Sequence, residues 1–275
     1  MERVESLMQE ASALVQQART ASPAQVAIVQ VDCREVWKRL FNALCTGDNP
    51  SATSAYITEG LGGSFVQLCL EAQEIPWPDG RCRLRIAEDA MGILDNCADA
   101  AFLRAQGCPE RVCAGLAAHE DLLAADPHTV AVSGALESYA LLLARLMRKT
   151  QDVPPCFQTA CQVLLRLLRR PTLEDDAFET CCDALRVYSL KGAALQLEAD
   201  AGTLQALKAY AERKLPAANA YLRTHEAYAM LVGESEVLSG MAAMRTSRDV
   251  WHKTPARPQT AALPAEALPA EALPA

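Results

Sequence analysis

NALCTGDNPSATSAYITEGLGGSFVQLC, residues Asn42 to Cys69, decides how the rest of the chain reads. It contains the end of an apolar helix, a short second helix opened by Asn49-Pro50, a stop at Gly60, and a third apolar helix from Leu61. Gly at the stop fits a left-handed C-cap.

Outward from this stretch the same shape recurs. One set of helices starts near Leu61, Cys108, Pro155 and Thr203, running as LGGSFVQLCL, CPERVCAGLA, PCFQTACQVLLRLL and TLQALKAYAERKL, with starts about 47 residues apart. A second set starts near Arg81, His128, Thr172 and Ala217, roughly 44 to 47 residues apart. Short helices ending at Gly107 and Gly202 match the one ending at Gly60, whereas the stretch from Val153 to Arg170 lacks a short helix. IPWPDG (75–80), Asp126-Pro127 and RRPTLEDD break the pattern between helices, and Thr172 with Asp175 fits a capping box. Ahead of these, Glu2 to Arg19 is an amphipathic helix with Val4, Leu7, Met8, Ala11, Leu14 and Val15 on one side. The next helix runs towards Cys45 with Val36, Trp37, Leu40, Phe41 and Leu44 on one face.

Composition agrees with stacked helices. The chain has 275 residues, 51% of them hydrophobic but only 5% aromatic, and its 13 glycines and 15 prolines lie mostly between apolar blocks. A net charge of −8 argues against nucleic acid or anionic lipid as the main partner. The amphipathic, acid-bearing start has no signal-peptide or transit-peptide character, and no apolar run reaches a membrane-spanning length. The expected location is therefore cytoplasmic, with a nuclear or ciliary site left open. Eleven cysteines lie inside apolar helical runs without zinc-binding spacing, and Cys181-Cys182 faces two directions on a helix; buried, reduced thiols are expected.

The region from about Cys33 to Gly233 resembles four armadillo or HEAT-type repeats followed by a partial one. The resemblance implies an all-α, right-handed armadillo/HEAT-like α-solenoid over residues 33–250, after an N-terminal helix and loop (1–32). Residues 251–275, in which EALPA recurs, form a low-complexity tail expected to be disordered. Families with this fold, such as the catenins and importin alpha, resemble one another in being scaffolds that bind extended peptides along a concave groove.

No catalytic motif occurs, and Gly60-Leu61-Gly62-Gly63 lacks the strand and the Lys of a phosphate loop. No enzymatic activity and no cofactor or metal is expected. Basic residues gather at Arg145, Arg148 and Lys149 and at Arg166, Arg169 and Arg170, near helix C-termini, where they complement the helix dipole.

Aligning the final helices of successive repeats on their apolar residues gives two apolar columns. Phe41, Met91, Tyr139, Leu185 and Tyr228 form the first; Leu44, Leu94, Leu142, Tyr188 and Leu231 form the second. Two residues before the first column stand Arg39, Asp89, Glu137, Asp183 and Glu226, four of them acidic. The neighbouring column of Ala43, Ile93, Leu141, Val187 and Met230 is apolar where importin alpha carries asparagines, which departs from cargo recognition of that kind. The expected role is a protein-protein adaptor whose groove takes a Lys/Arg-bearing segment, steered by the acids and held by Ile93, Leu141 and Val187. The alternative is a regulatory partner of a small GTPase or enzyme, or a structural subunit of a cytoskeletal or ciliary assembly.

Overall fold

The computed structural model describes residues 2–45, 50–97, 99–125, 130–148, 153–170 and 173–188, together with positions 205, 206 and 209. Contacts divide the chain into two units, 1–235 and 236–275, and every described residue belongs to the first. Thr172, Gly202, Glu226, Met230 and the segment 251–275 lie outside the described residues.

Among the described residues every regular element is helical. In order they are α1 (Glu2–Thr20), α2 (Pro23–Cys45), α3 (Pro50–Ala55), a π-helical turn (Tyr56–Leu61), α4 (Gly62–Glu74), α5 (Gly80–Asn96), α6 (Ala100–Ala105), α7 (Cys108–Ala125), α8 (Val130–Arg148), α9 (Pro155–Leu167) and α10 (Asp175–Tyr188). Side chains and prolines set several of these boundaries. Asp79 opens α5 by accepting the Arg81 N–H at 2.9 Å, and Asp99 opens α6 by accepting those of Ala101 and Phe102. Pro155 occupies the first turn of α9, where a missing N–H costs nothing.

The stop at Gly60 is corrected by two residues. The chain passes through Gly60 in the π-helical turn and breaks at Gly62, whose φ of 69° and ψ of −167° suit only glycine. Gly60 serves close packing instead: a Cβ there would stand 2.8 Å from the Tyr56 ring. Gly107, at φ 75°, takes the left-handed position expected after the short helix α6.

The helices pack in two series. In one, α2 lies on α5, α5 on α8 and α8 on α10; in the other, α1 lies on α4, α4 on α7 and α7 on α9. Pairs α1 with α2, α4 with α5, α7 with α8 and α9 with α10 join them. The core fills the space between, and both predicted columns contribute: Met91, Tyr139, Leu185, Leu44, Leu94, Leu142 and Tyr188 are all buried. Phe41 is only partly covered, with its ring on α2 filling the space that Gly92 leaves on α5. All eleven cysteines are free thiols; nine are buried, and Cys45 and Cys156 are half-buried.

Cross-helix ion pairs tie successive members of each series. Arg19 meets Glu71 at 3.2 Å between α1 and α4, Arg111 grips both oxygens of Glu74 at 2.6 and 2.7 Å between α4 and α7, and Arg166 grips Glu120 between α7 and α9. In the other series Arg145 reaches Asp95 at 2.8 Å and Arg148 reaches Asp183. The arginines singled out as basic patches thus include three that already hold carboxylates. Partly exposed pairs contribute little net stability, so their main effect is to fix how one helix sits along the next.

Candidate protein-binding face

The row expected to meet a partner lies on α2, α5, α8 and α10, which do pack consecutively. Its members face different surroundings. Arg39 is exposed and pairs with Glu10 on α1 at 3.6 Å, which turns it away from the row. The α2 cations that act on Asp89 are Arg34 and Lys38. Asp89 and Glu137 are half-buried on α5 and α8. Asp183, only 8% exposed, accepts from Arg148 and, at 2.7 Å, from Arg186, so its charge is spent inside the fold.

The apolar members separate as well. Leu141 is 40% exposed, but Ile93 is fully buried and Val187 is 4% exposed. The expectation that the three line one open groove is corrected on this point. Helix α5 is packed by α2, α3, α4, α7 and α8, which leaves Ile93 no free side. Ile28 and Val31 on α2 are instead the other large apolar side chains open to solvent among the described residues.

The acidic surface is nevertheless built, partly from other residues. Glu88 on α5, Glu137 on α8, and Glu174 and Asp176 at the start of α10 lie close enough to act on one another, with Asp89 beside Glu88. Glu88 rests in the dent left by Gly134 on α8, where an added Cβ would stand 2.4 Å from its carboxylate, and it holds Arg85 at 2.6 Å. Glu137 has no cation on it among the described residues: burial, then Asp176 and Glu174, push its carboxyl up. Burial first, then Glu88, push Asp89 to about 7, against the opposing pull of Arg85, Arg34 and Lys38. The adjacent acids Glu88-Asp89 and the run LEDD were the sequence signals for this cluster. Their convergence depends on packing between helices far apart in sequence.

A carboxyl raised in the fold binds its proton more tightly there than in the unfolded chain. Its contribution is therefore greatest at pH values below the unfolded range and is lost as pH rises through the folded value. Asp89→Asn, which mimics the protonated form, should match the parent near pH 3, below the unfolded carboxylate range. At pH 8 it should be the more stable by about 2 kcal/mol, discounted for the water that reaches the group. Urea denaturation at both pH values checks this; equal stability at pH 8 would contradict the raised value.

A polar cluster inside the core was not anticipated. Tyr139 Oη donates to Gln73 Oε1 at 2.6 Å and lies 2.8 Å from His119 Nδ1; Gln73 Nε2 donates to the Arg111 carbonyl at 3.1 Å. Because the tyrosine proton goes to Gln73, His119 must donate through Nδ1, leaving Nε2 without a partner. Burial, then Arg83, push His119 down to about 3, so it is neutral at ordinary pH. Gly115 makes room for Gln73, whose amide oxygen stands 2.1 Å from where a Cβ would be.

Elsewhere, a cleft of about 470 Å³ at the α1–α2 turn is lined by Ala18, Ala21, Val26, Ile75, Pro76 and Pro78. Glu71 and Glu74 at its edge are already paired with Arg19 and Arg111. No group of three or more His, Cys, Asp or Glu among the described residues is placed to hold a metal ion, and no described helix is long and apolar enough to cross a membrane. Comparison with family models, curated proteins and solved structures finds no match to the chain.

Proposed function

We propose that this chain is a non-enzymatic adaptor of armadillo/HEAT-like, right-handed solenoid type that binds a Lys/Arg-bearing protein segment on the face shared by α5, α8 and α10. The observation that supports this most is the cluster of Glu88, Glu137, Glu174 and Asp176, in which, among the described residues, one cation, Arg85, stands against four carboxylates. Like charges held together raise the free energy of the unbound face, and a basic segment relieves that while gaining long-range attraction. Leu141, exposed on α8 one helical turn beyond Glu137, supplies an apolar contact beside the acids. The two-series packing of helix pairs supports the repeat reading, since repeat folds bury their core between neighbouring units.

A fluorescent peptide alternating Lys or Arg with Leu serves as the probe, read by anisotropy. Glu137→Lys combined with Asp89→Lys should weaken binding about tenfold or more at low salt and far less at high salt, as expected when exposed charges steer association. Leu141→Ala should weaken it at both. Equal binding by the folded double-charge variant would remove this face from the reading. Crosslinking in cell extract then separates a free adaptor from a regulator of one GTPase or enzyme and from a subunit of a larger assembly.

A further inference from the structure

The acids of this face form one half of a longer row, and the other half carries the opposite sign. Helices α2, α5, α8 and α10 run side by side in the same direction. Gln30 on α2 accepts the N–H of Asp79, just before α5, at 3.1 Å, and further along the Phe41 ring lies over Gly92. On α8, Gly134 faces Glu88 and Ser138 faces Gly92. Ser133 Oγ accepts the N–H of Glu174, just before α10, at 3.3 Å, and Arg148 reaches Asp183. Residues at one level of each helix therefore form a line across all four.

Near the level of Glu88, α2 presents Arg34 and Lys38, one helical turn apart between Gln30 and Phe41. Lys38 is exposed and Arg34 half-buried; neither closes an ion pair among the described residues, although both pull on Asp89 across the gap. The end formed by α8 and α10 has the reverse charge. Glu88 in the dent of Gly134 and Glu174 on Ser133 flank the same turn of α8, Glu137 stands on the next turn, and Asp176 lies in the first turn of α10.

We infer that the segment this face takes is bipolar, with an Asp or Glu meeting Arg34 and Lys38 on α2 and, about six residues away, Lys or Arg meeting the acids of α8 and α10. The inference rests on the adaptor reading above and adds a second pole to it. Neighbouring helix axes lie about 8–10 Å apart, which puts α8 about 20 Å from α2, a distance that an extended chain covers in about six residues. A wholly basic segment spanning the row would set like charge against Arg34 and Lys38, whereas a carboxylate there turns repulsion into attraction and gives selectivity among basic segments. Val31, 53% exposed one turn before Arg34, gives the acidic pole the apolar neighbour that Leu141 gives the basic one.

The probes are fluorescent peptides with a Lys-Leu-Lys block and, about six residues away, either two Glu or two Gln, each made in both chain directions. The full chain, read by anisotropy at low salt, should bind the Glu peptide of one direction about fivefold tighter than its Gln twin, as two exposed charge contacts allow. Arg34→Gln with Lys38→Gln should bring the two peptides to the same affinity and leave the Gln peptide as in wild type. Arg34→Glu with Lys38→Glu should reverse the order, the Gln twin then binding tighter. Lys38→Gln alone, at an exposed site, should give an intermediate preference, and thermal melting checks that each variant is folded. A Glu peptide that binds wild type no better than its Gln twin, or a preference for Glu that survives in either α2 double variant, would overturn the second pole. The adaptor reading fails separately, when Glu137→Lys with Asp89→Lys leaves binding of the Gln peptide unchanged.

Discussion

Tyr139→Phe should cost about 2–4 kcal/mol, the penalty for leaving two buried groups unpaired, although it deletes a single oxygen. The hydroxyl is both donor to Gln73 Oε1 and acceptor for His119, in a site where all three side chains are essentially inaccessible. His119 already has one unpartnered nitrogen, so the variant would strand both. Urea denaturation should show an earlier midpoint with an unchanged slope, the signature of lost stability without a changed unfolded state. A loss under about 1 kcal/mol would mean that a water takes the place of the hydroxyl.

This cluster marks a limit of reading by pattern. Helix starts at Cys108 and Pro155 were legible because a breaker stands directly before an apolar period, and the two columns were legible because core positions repeat at fixed angles around each helix. Tyr139 was assigned to the core as bulk, and its hydroxyl could be matched to Gln73 and His119 only once three helices were assembled. Ile93 and Leu141 share a column, yet burial depends on how many neighbours surround each helix, and α5 packs against more elements than α8 does. The π-helical turn shifted a break from Gly60 to Gly62, a displacement that two glycine candidates one residue apart in the sequence Gly60-Leu61-Gly62 cannot reveal. Of the acidic row, Asp89 and Glu137 do border the carboxylate cluster, Arg39 turns to α1 and Asp183 is spent on arginines.

Asp183→Lys should lower stability by about 3 kcal/mol, because it replaces the acceptor of two guanidinium groups with a third cation in a nearly closed site. For a chain of this size that is a fall of roughly 6–12 °C in Tm. Glu137→Lys should behave oppositely, leaving Tm unchanged or slightly higher, since Glu137 faces Glu174 and Asp176. Differential scanning calorimetry of the two variants separates an acid that belongs to the fold from one that is free for a ligand. A fall of similar size in both would refute that distinction, and it is for this reason that the binding test reverses Asp89 and Glu137 and leaves Asp183 alone.

The ion pairs between successive helices also bear on how such a chain could grow or shrink by gene duplication and deletion. Arg111, which grips Glu74, stands in the first turn of α7, whereas Arg166, which grips Glu120, stands in the last turn of α9. Excising the segment from α6 to α8 would bring α4 against α9 with donor and acceptor at opposite ends of the contact. That excision would leave Glu74 without Arg111 and Arg166 without Glu120, so the charges between these helices fix which helix follows which.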